Sequence, residues 1–166
     1  MPVFARLNEL AAGNLYVVFP DTRTPDLVRE KIKQEIGYNA IELTGEKSIG
    51  SKAPSNHLAN SSWLFTYQPG LSKVIGSLKP DVTIGDGFGQ WSVPLLKRRI
   101  FKRTPFVLCY ERTAHTERTA QATRTFYRKQ MCRWVDAACV NGRLTREFLI
   151  SNYGVDESII LSLIHI

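Results

Sequence analysis

A carboxylate, a guanidinium and an imidazole fall within five residues of the segment Tyr110-Glu111-Arg112-Thr113-Ala114-His115-Thr116-Glu117-Arg118. Glu111 could accept a hydrogen bond from a hydroxyl and His115 could relay a proton. Arg112 or Arg118 could hold a phosphate through charge-assisted hydrogen bonds. The competing reading is structural. In it Glu117 and Arg118 cap and solvate the helix that follows, while Glu111 and Arg112 simply pair with each other. The position favours chemistry for Glu111, because the segment follows an apolar run, Phe106-Val107-Leu108-Cys109, that reads as a buried strand.

A second turn, Gly85-Asp86-Gly87-Phe88-Gly89-Gln90, also lies between a strand and a helix. It fails as a dinucleotide fingerprint. Its third glycine would fall at Gln90, and the acid at Asp86 would repel a pyrophosphate. A tight turn lining a cleft fits better. His57, His115 and His165 are too scattered for a metal site, so no metal is expected, and no nucleophile elbow supports serine hydrolysis. Cys109, Cys132 and Cys139 lack CxxC spacing and read as reduced thiols of a cytosolic protein.

The elements that must position these residues alternate. Helices are predicted from Val3 to Ala11 and from Pro25 to Ile36, the latter with Pro early and Gly37 after its end. Leu15–Phe19 reads as a buried strand, Tyr38–Leu43 as a further strand, and 44–60 as loop. Beyond them come a helix over Leu71–Leu78, a strand over Asp81–Ile84, and a helix over Trp91–Lys102. A strand over Pro105–Tyr110 follows, then a long helix over Thr119–Val135, a strand over Ala137–Val140 and a helix over Leu144–Tyr153. Strands spaced by helices imply an α/β fold, a Rossmann-like parallel sheet with helices on both faces. The ligand crevice of such a sheet lies beyond the carboxyl ends of its strands. The loops after Phe19, Ile84, Tyr110 and Val140 are therefore expected to share one rim.

The chain of 166 residues has a net charge of +7, unevenly spread. Between Lys97 and Trp134 eleven Lys or Arg face only Glu111 and Glu117, a local balance of +9. Such a patch attracts anions. Arg124, Arg128, Lys129 and Arg133 give the long helix a loosely basic face. Residues 95–103, Leu95-Leu96-Lys97-Arg98-Arg99-Ile100-Phe101-Lys102-Arg103, are apolar and basic together, as in a helix resting on an anionic membrane surface, with a merely solvated helix as the competing and favoured reading. No apolar run is long enough for a membrane span.

Taken in order, Lys79-Pro80-Asp81-Val82, Gly85 through Trp91, Pro105-Phe106-Val107 leading to Glu111, and Asp136-Ala137-Ala138-Cys139-Val140-Asn141-Gly142 through Tyr153-Gly154-Val155 resemble the N-terminal domain of glycosyltransferase family 4, half of a GT-B fold. The resemblance covers residues 1–160. It implies transfer of a sugar from a nucleotide-sugar donor to a saccharide or lipid-linked acceptor, at or near the cytoplasmic face of a membrane. The acceptor would sit in this half, and a further C-terminal half would bind the donor nucleotide. By this resemblance Glu111 matches the rim acid and Gly85 to Gly89 the loop beneath the acceptor. His115 has no firm counterpart. The resulting expectation puts Glu111 and His115 in catalytic roles and Gly85, Asp86, Gly87, Phe88, Arg112 and Arg118 in acceptor binding. No cofactor and no nucleic acid are expected.

The chain departs from that family at both ends. The family's first strand, between those of Leu15–Phe19 and Asp81–Ile84, has no counterpart before the first helix. Residues 161–166, Leu-Ser-Leu-Ile-His-Ile, resemble a translated sequencing adapter and are expected to be non-native. The chain is accordingly expected to be a fragment, inactive alone. Two other readings stay open: a GT-B-like nucleotide-sugar epimerase, and a basic α/β module that binds nucleic acid.

Overall fold

A computed structural model of the chain describes residues 2–50, 65–117 and 120–162. These form two compact units, Met1–Ser48 with Thr66–Leu71, and Ile49–Phe65 with Ser72–Ile166.

In the first unit, α1 (Pro2–Leu10) leads to β1 (Val17–Pro20), α2 (Asp26–Ile36) and β2 (Ala40–Leu43). Pro25 stands immediately before α2, and Gly37 ends it in the left-handed region at φ 65°, donating its N–H to Lys33 O. Glycine takes that conformation without steric cost, which is why the helix stops there. β1 and β2 pair in parallel, Val17 opposite Ala40 through Pro20 opposite Leu43. Phe19, Ile32 and Ile36 form the core, with Phe4, Leu15, Val17, Val28 and Ala40 packed against it. Asn39, buried, donates to the carbonyl of Gly13 at 2.7 Å and ties the turn after α2 to the turn after α1. The stretch expected to be loop contains β3 (Lys47–Ile49), which pairs with β4 (Phe65–Tyr67). Three extended residues carry too little pattern to be told from loop.

The second unit holds α3 (Leu71–Leu78) from Ser72 onward, as expected, followed by β5 (Thr83–Asp86), α4 (Val93–Lys102), β6 (Phe106–Tyr110), α5 (Ala122–Cys132), β7 (Ala137–Val140), α6 (Arg143–Phe148) and β8 (Ile160–Ser162). The four strands form one parallel sheet in the order β5-β6-β7-β8, flanked by helices. This is a Rossmann-like α/β fold. β5 starts two residues later than its apolar pattern suggests, so Gly85 and Asp86 lie in the strand and the turn begins at Gly87. β8 includes Leu161 and Ser162, opposite Cys139 and Val140. The last helix ends in a wider turn over Leu149–Tyr153, with Gly154 at φ 69° closing it.

Burial alternates along the strands. Thr83, Gly85, Phe106, Leu108, Tyr110, Ala138, Val140 and Ile160 share the buried face, whereas Ile84, Cys109 and Cys139 point to the other. Asp136 locks the entrance to the sheet. Its carboxylate accepts from Arg99 Nε at 2.6 Å and Nη2 at 2.8 Å, and from the Phe106 N–H at 2.9 Å. One side chain thus binds α4 and β6 to the start of β7. Among the described residues, no helix is long and apolar enough to cross a membrane.

Candidate functional site

The parallel register fixes which loops meet. Asp86 lies opposite Cys109, Tyr110 opposite Val140 and Val140 opposite Ser162. The segments that follow β5, β6 and β7 therefore emerge at one end of the sheet. They are also bonded to each other. The Gly87 N–H donates to Cys109 O at 2.8 Å, and the Ser92 hydroxyl donates to Gly87 O at 2.8 Å. Buried Thr145 donates to Asn141 Oδ1 at 2.9 Å and lies 3.4 Å from the carbonyl oxygen of Glu111.

On this rim the candidate residues divide by exposure. Asp86, Glu111 and His115 are exposed. Gly87 occupies the left-handed region at φ 64° and turns the chain out of β5. Gly85 and Phe88 are packed inside. A Cβ at Gly85 would lie 2.8 Å from Ser92 Oγ and 2.9 Å from Phe106 Cε2, so glycine here is needed for close packing beneath the rim. Phe88 meets Tyr110 edge-on at 4.9 Å and Tyr153 at 5.4 Å, and Phe148 closes the aromatic cluster 5.2 Å from Tyr153. Arg118, His57 and His165 fall outside the described residues.

Under the exposed loop lies a charged centre that the sequence reading did not anticipate. Glu117 is not the solvated helix cap of the structural reading: its side chain is 1% exposed. Its carboxylate accepts from Arg128 Nη1 through Oε2 and from Arg112 Nη1 at 3.3 Å through Oε1. Arg112 thus pairs with Glu117, not with its neighbour Glu111. Arg128 lies 3.3 Å from the Tyr153 hydroxyl and 5.7 Å from the centre of the Phe88 ring, a cation–π position. Burial opposes the charge of Arg128, but the bonds to Tyr153 and Glu117 outweigh it and hold its pKa above the usual arginine value. Burial, reinforced by Tyr153, pushes the Tyr110 phenol far above its ordinary range.

Arg128 also corrects the basic face expected on α5, which begins at Ala122 and ends at Cys132, shorter than its pattern. Met131 and Cys132, three and four residues on, are buried with it. That spacing is one stripe of a helix. The signal was present: an arginine aligned with the apolar stripe, with Glu117 and Glu111 the nearest acids upstream. Glu117 itself carries no periodic signal, being in a turn whose N–H donates to Thr113 O.

A shallow concavity lined by Arg143, Arg146, Ile160, Leu161 and Ser162 lies beside β8, and the candidate residues do not line it. Among the described residues, no group of three His, Cys, Asp or Glu side chains could hold a metal ion. The chain matches no protein-family model and no curated protein.

Proposed function

We propose that this chain is the acceptor-side half of a glycosyltransferase that moves a sugar from a nucleotide-sugar donor to a saccharide or lipid-linked acceptor. The observation that carries the reading is the rim: three segments follow three parallel strands held in register, and Glu111 and His115 stand exposed on the middle one. Open α/β sheets bind ligands at that end. The Glu117 pair beneath the loop and the Thr145 contact beside it hold the loop from two sides, as positioning for transfer requires.

In this reading Glu111 accepts the proton of the acceptor hydroxyl, or orients it, as its oxygen bonds to the sugar carbon, while the bond from that carbon to the donor phosphate breaks and the nucleoside diphosphate leaves with the electron pair. His115 relays the proton toward solvent. The donor nucleotide is held by a second half, and closure of the two halves excludes water from the reacting atoms. The helix α4 supports a seat on an anionic membrane surface. Phe101 at its end is 77% exposed and lies among exposed Lys97, Lys102 and Arg103.

Saturation-transfer NMR tests the reading on this chain. Oligosaccharide acceptors should bind and perturb the amides of Gly87, Glu111–Thr116 and Asn141–Gly142. Tight binding of nucleotide sugars in place of saccharides would overturn the acceptor-side assignment.

A further inference from the structure

We propose that Cys109 and Cys139 are a redox-modification site, a dithiol that closes into a disulfide across β6 and β7 and is reopened by thiol exchange. The sheet itself places them. The two strands run parallel, with Cys109 directly opposite Cys139. Side chains alternate between the faces of a strand, and Leu108, Tyr110, Ala138 and Val140 take the buried face. Both thiols therefore stand on the other face, and each is free and partly open to solvent. Neighbouring strands run about 4.7–4.9 Å apart, inside the span of about 4.4–6.8 Å between Cα atoms that a disulfide bridges. The Cys109 thiol is in hydrogen-bonding contact with Cys139, as that spacing allows.

Cys132 is not a rival partner. It is buried on α5 one turn after Arg128, which rests against Phe88, and Phe88 packs on Tyr110. Tyr110 belongs to the buried face of β6, so the sheet stands between Cys132 and the pair. The three cysteines resolve into two that meet and one that is enclosed.

The oxidant is a small disulfide of the glutathione type. One protein thiolate attacks a sulfur of that disulfide, its S–S bond breaks, and a glutathione thiolate leaves with the electron pair and takes up a proton. The second protein thiol gives up its proton and attacks the mixed disulfide, and a second glutathione leaves. The protein loses two electrons and two protons, and the oxidant gains both as it becomes two thiols. Burial, then Cys139 and Asp86, push the Cys109 thiol up to about 11, so closure is slow at neutral pH.

The bridge lies directly beneath the rim. Cys109 precedes Glu111 by two residues and Cys139 precedes Asn141 by two. Thr145 bonds to Asn141 and lies near the Glu111 carbonyl oxygen. Closure thus ties together the two strands that present these residues and alters what the rim binds. That the rim binds saccharide rests on the acceptor-side reading above; the disulfide does not.

The test incubates the chain in glutathione redox buffer at about pH 9, where thiolate forms more readily. It starts both from the reduced chain and from chain oxidised with diamide, and runs until the two agree. Remaining thiols are blocked with iodoacetamide in urea and the peptides mapped by mass. The expected product is a monomer with a Cys109–Cys139 linkage lacking two hydrogens and with Cys132 blocked, and dithiothreitol should restore both thiols. Cys109→Ser and Cys139→Ser should each abolish the linkage, and Cys132→Ser should leave it unchanged. Cys109 and Cys139 both blocked in a large excess of glutathione disulfide would overturn the site, as would equal linkage to Cys132 or between chains. Saccharide binding that differs between the reduced and the linked chain upholds control of the rim, and equal binding overturns that control while keeping the disulfide. Linkage with no saccharide binding in either form keeps the site and discards the acceptor-side reading. Saccharide binding without linkage does the reverse.

Discussion

Arg128 and Glu117, eleven residues apart, meet as an ion pair whose side chains are both nearly sealed from water, at 9% and 1% exposure. A buried pair is sensitive to the loss of one member, because the survivor remains charged and unsolvated. Arg128→Met should therefore destabilise the fold by about 3–5 kcal/mol, whereas the double change Glu117→Leu with Arg128→Met should recover much of that loss. Urea denaturation of the two variants and the parent measures both terms. A cost under about 1 kcal/mol for Arg128→Met would mean that the pair behaves as a solvated one.

Two glycines on the β5 turn make different demands. At Gly85 a methyl group would press on Ser92 Oγ at 2.8 Å, Phe106 Cε2 at 2.9 Å and Leu95 Cδ1 at 3.1 Å. Gly85→Ala should cost about 1–3 kcal/mol by overpacking. At Gly87 there is open space, but φ is +64°, so Gly87→Ala should cost about 1–2 kcal/mol through the backbone alone. The two are separated by Gly87→Asn, which tolerates the left-handed region and should restore most of the stability. Asparagine at position 85 should only worsen it. Thermal or urea melts decide.

The alternation of strands and helices was legible because long apolar periods survive in sequence. Leu71–Leu78 and Ala137–Val140 match their predicted spans to the residue. The misses are of three physical kinds. β3 and β4 are three residues each, too short for a period to declare itself. The start of β5 is set by pairing, with Thr83 opposite Phe106, and not by its own apolar residues. The charged centre is non-local, joining a turn residue, a helix residue and Tyr153. A sequence reading assigns isolated charges to the surface by default, as it did for Glu117 and Arg128. What moved them inside is a carboxylate that satisfies two guanidiniums, together with an aromatic wall on which Arg128 rests. By contrast, Glu111 stands exposed on the rim where strand order alone placed it.

The cysteines make the high-pH behaviour predictable. Burial pushes the Cys132 thiol up to about 12, and burial followed by the neighbouring Cys139 and Asp86 pushes Cys109 up to about 11. The unfolded chain releases these protons near the ordinary thiol value, so between the unfolded and folded values it binds fewer protons than the native state. Stability must then fall as pH rises from about 9 toward 11. It is fully present below that window. Equilibrium unfolding across this pH range should show the decline, and Cys132→Ala with Cys109→Ala should lessen it, leaving the part above about pH 10 that the buried Tyr110 phenol contributes. At pH 8 both thiols should alkylate far more slowly than a free cysteine, which mass-mapped iodoacetamide labelling reads directly.

Glu111 separates chemistry from folding most cleanly. Its side chain is exposed on the rim, whereas its carbonyl oxygen lies near the Thr145 hydroxyl, so the backbone is held and the carboxylate is available. Glu111→Gln preserves the shape and removes the charge that would take the acceptor proton. In the proposed two-half glycosyltransferase, turnover should drop about 10²–10⁴-fold, the usual worth of a general base. Stability should change by no more than about 0.5 kcal/mol, as at other surface sites. Arg128→Met, in contrast, should lower activity in step with the folded fraction. Wild-type turnover in Glu111→Gln would leave the rim without its base. An equal loss of stability and turnover would make Glu111 a structural residue, because a carboxylate that acts only on substrate contributes nothing to the unliganded fold.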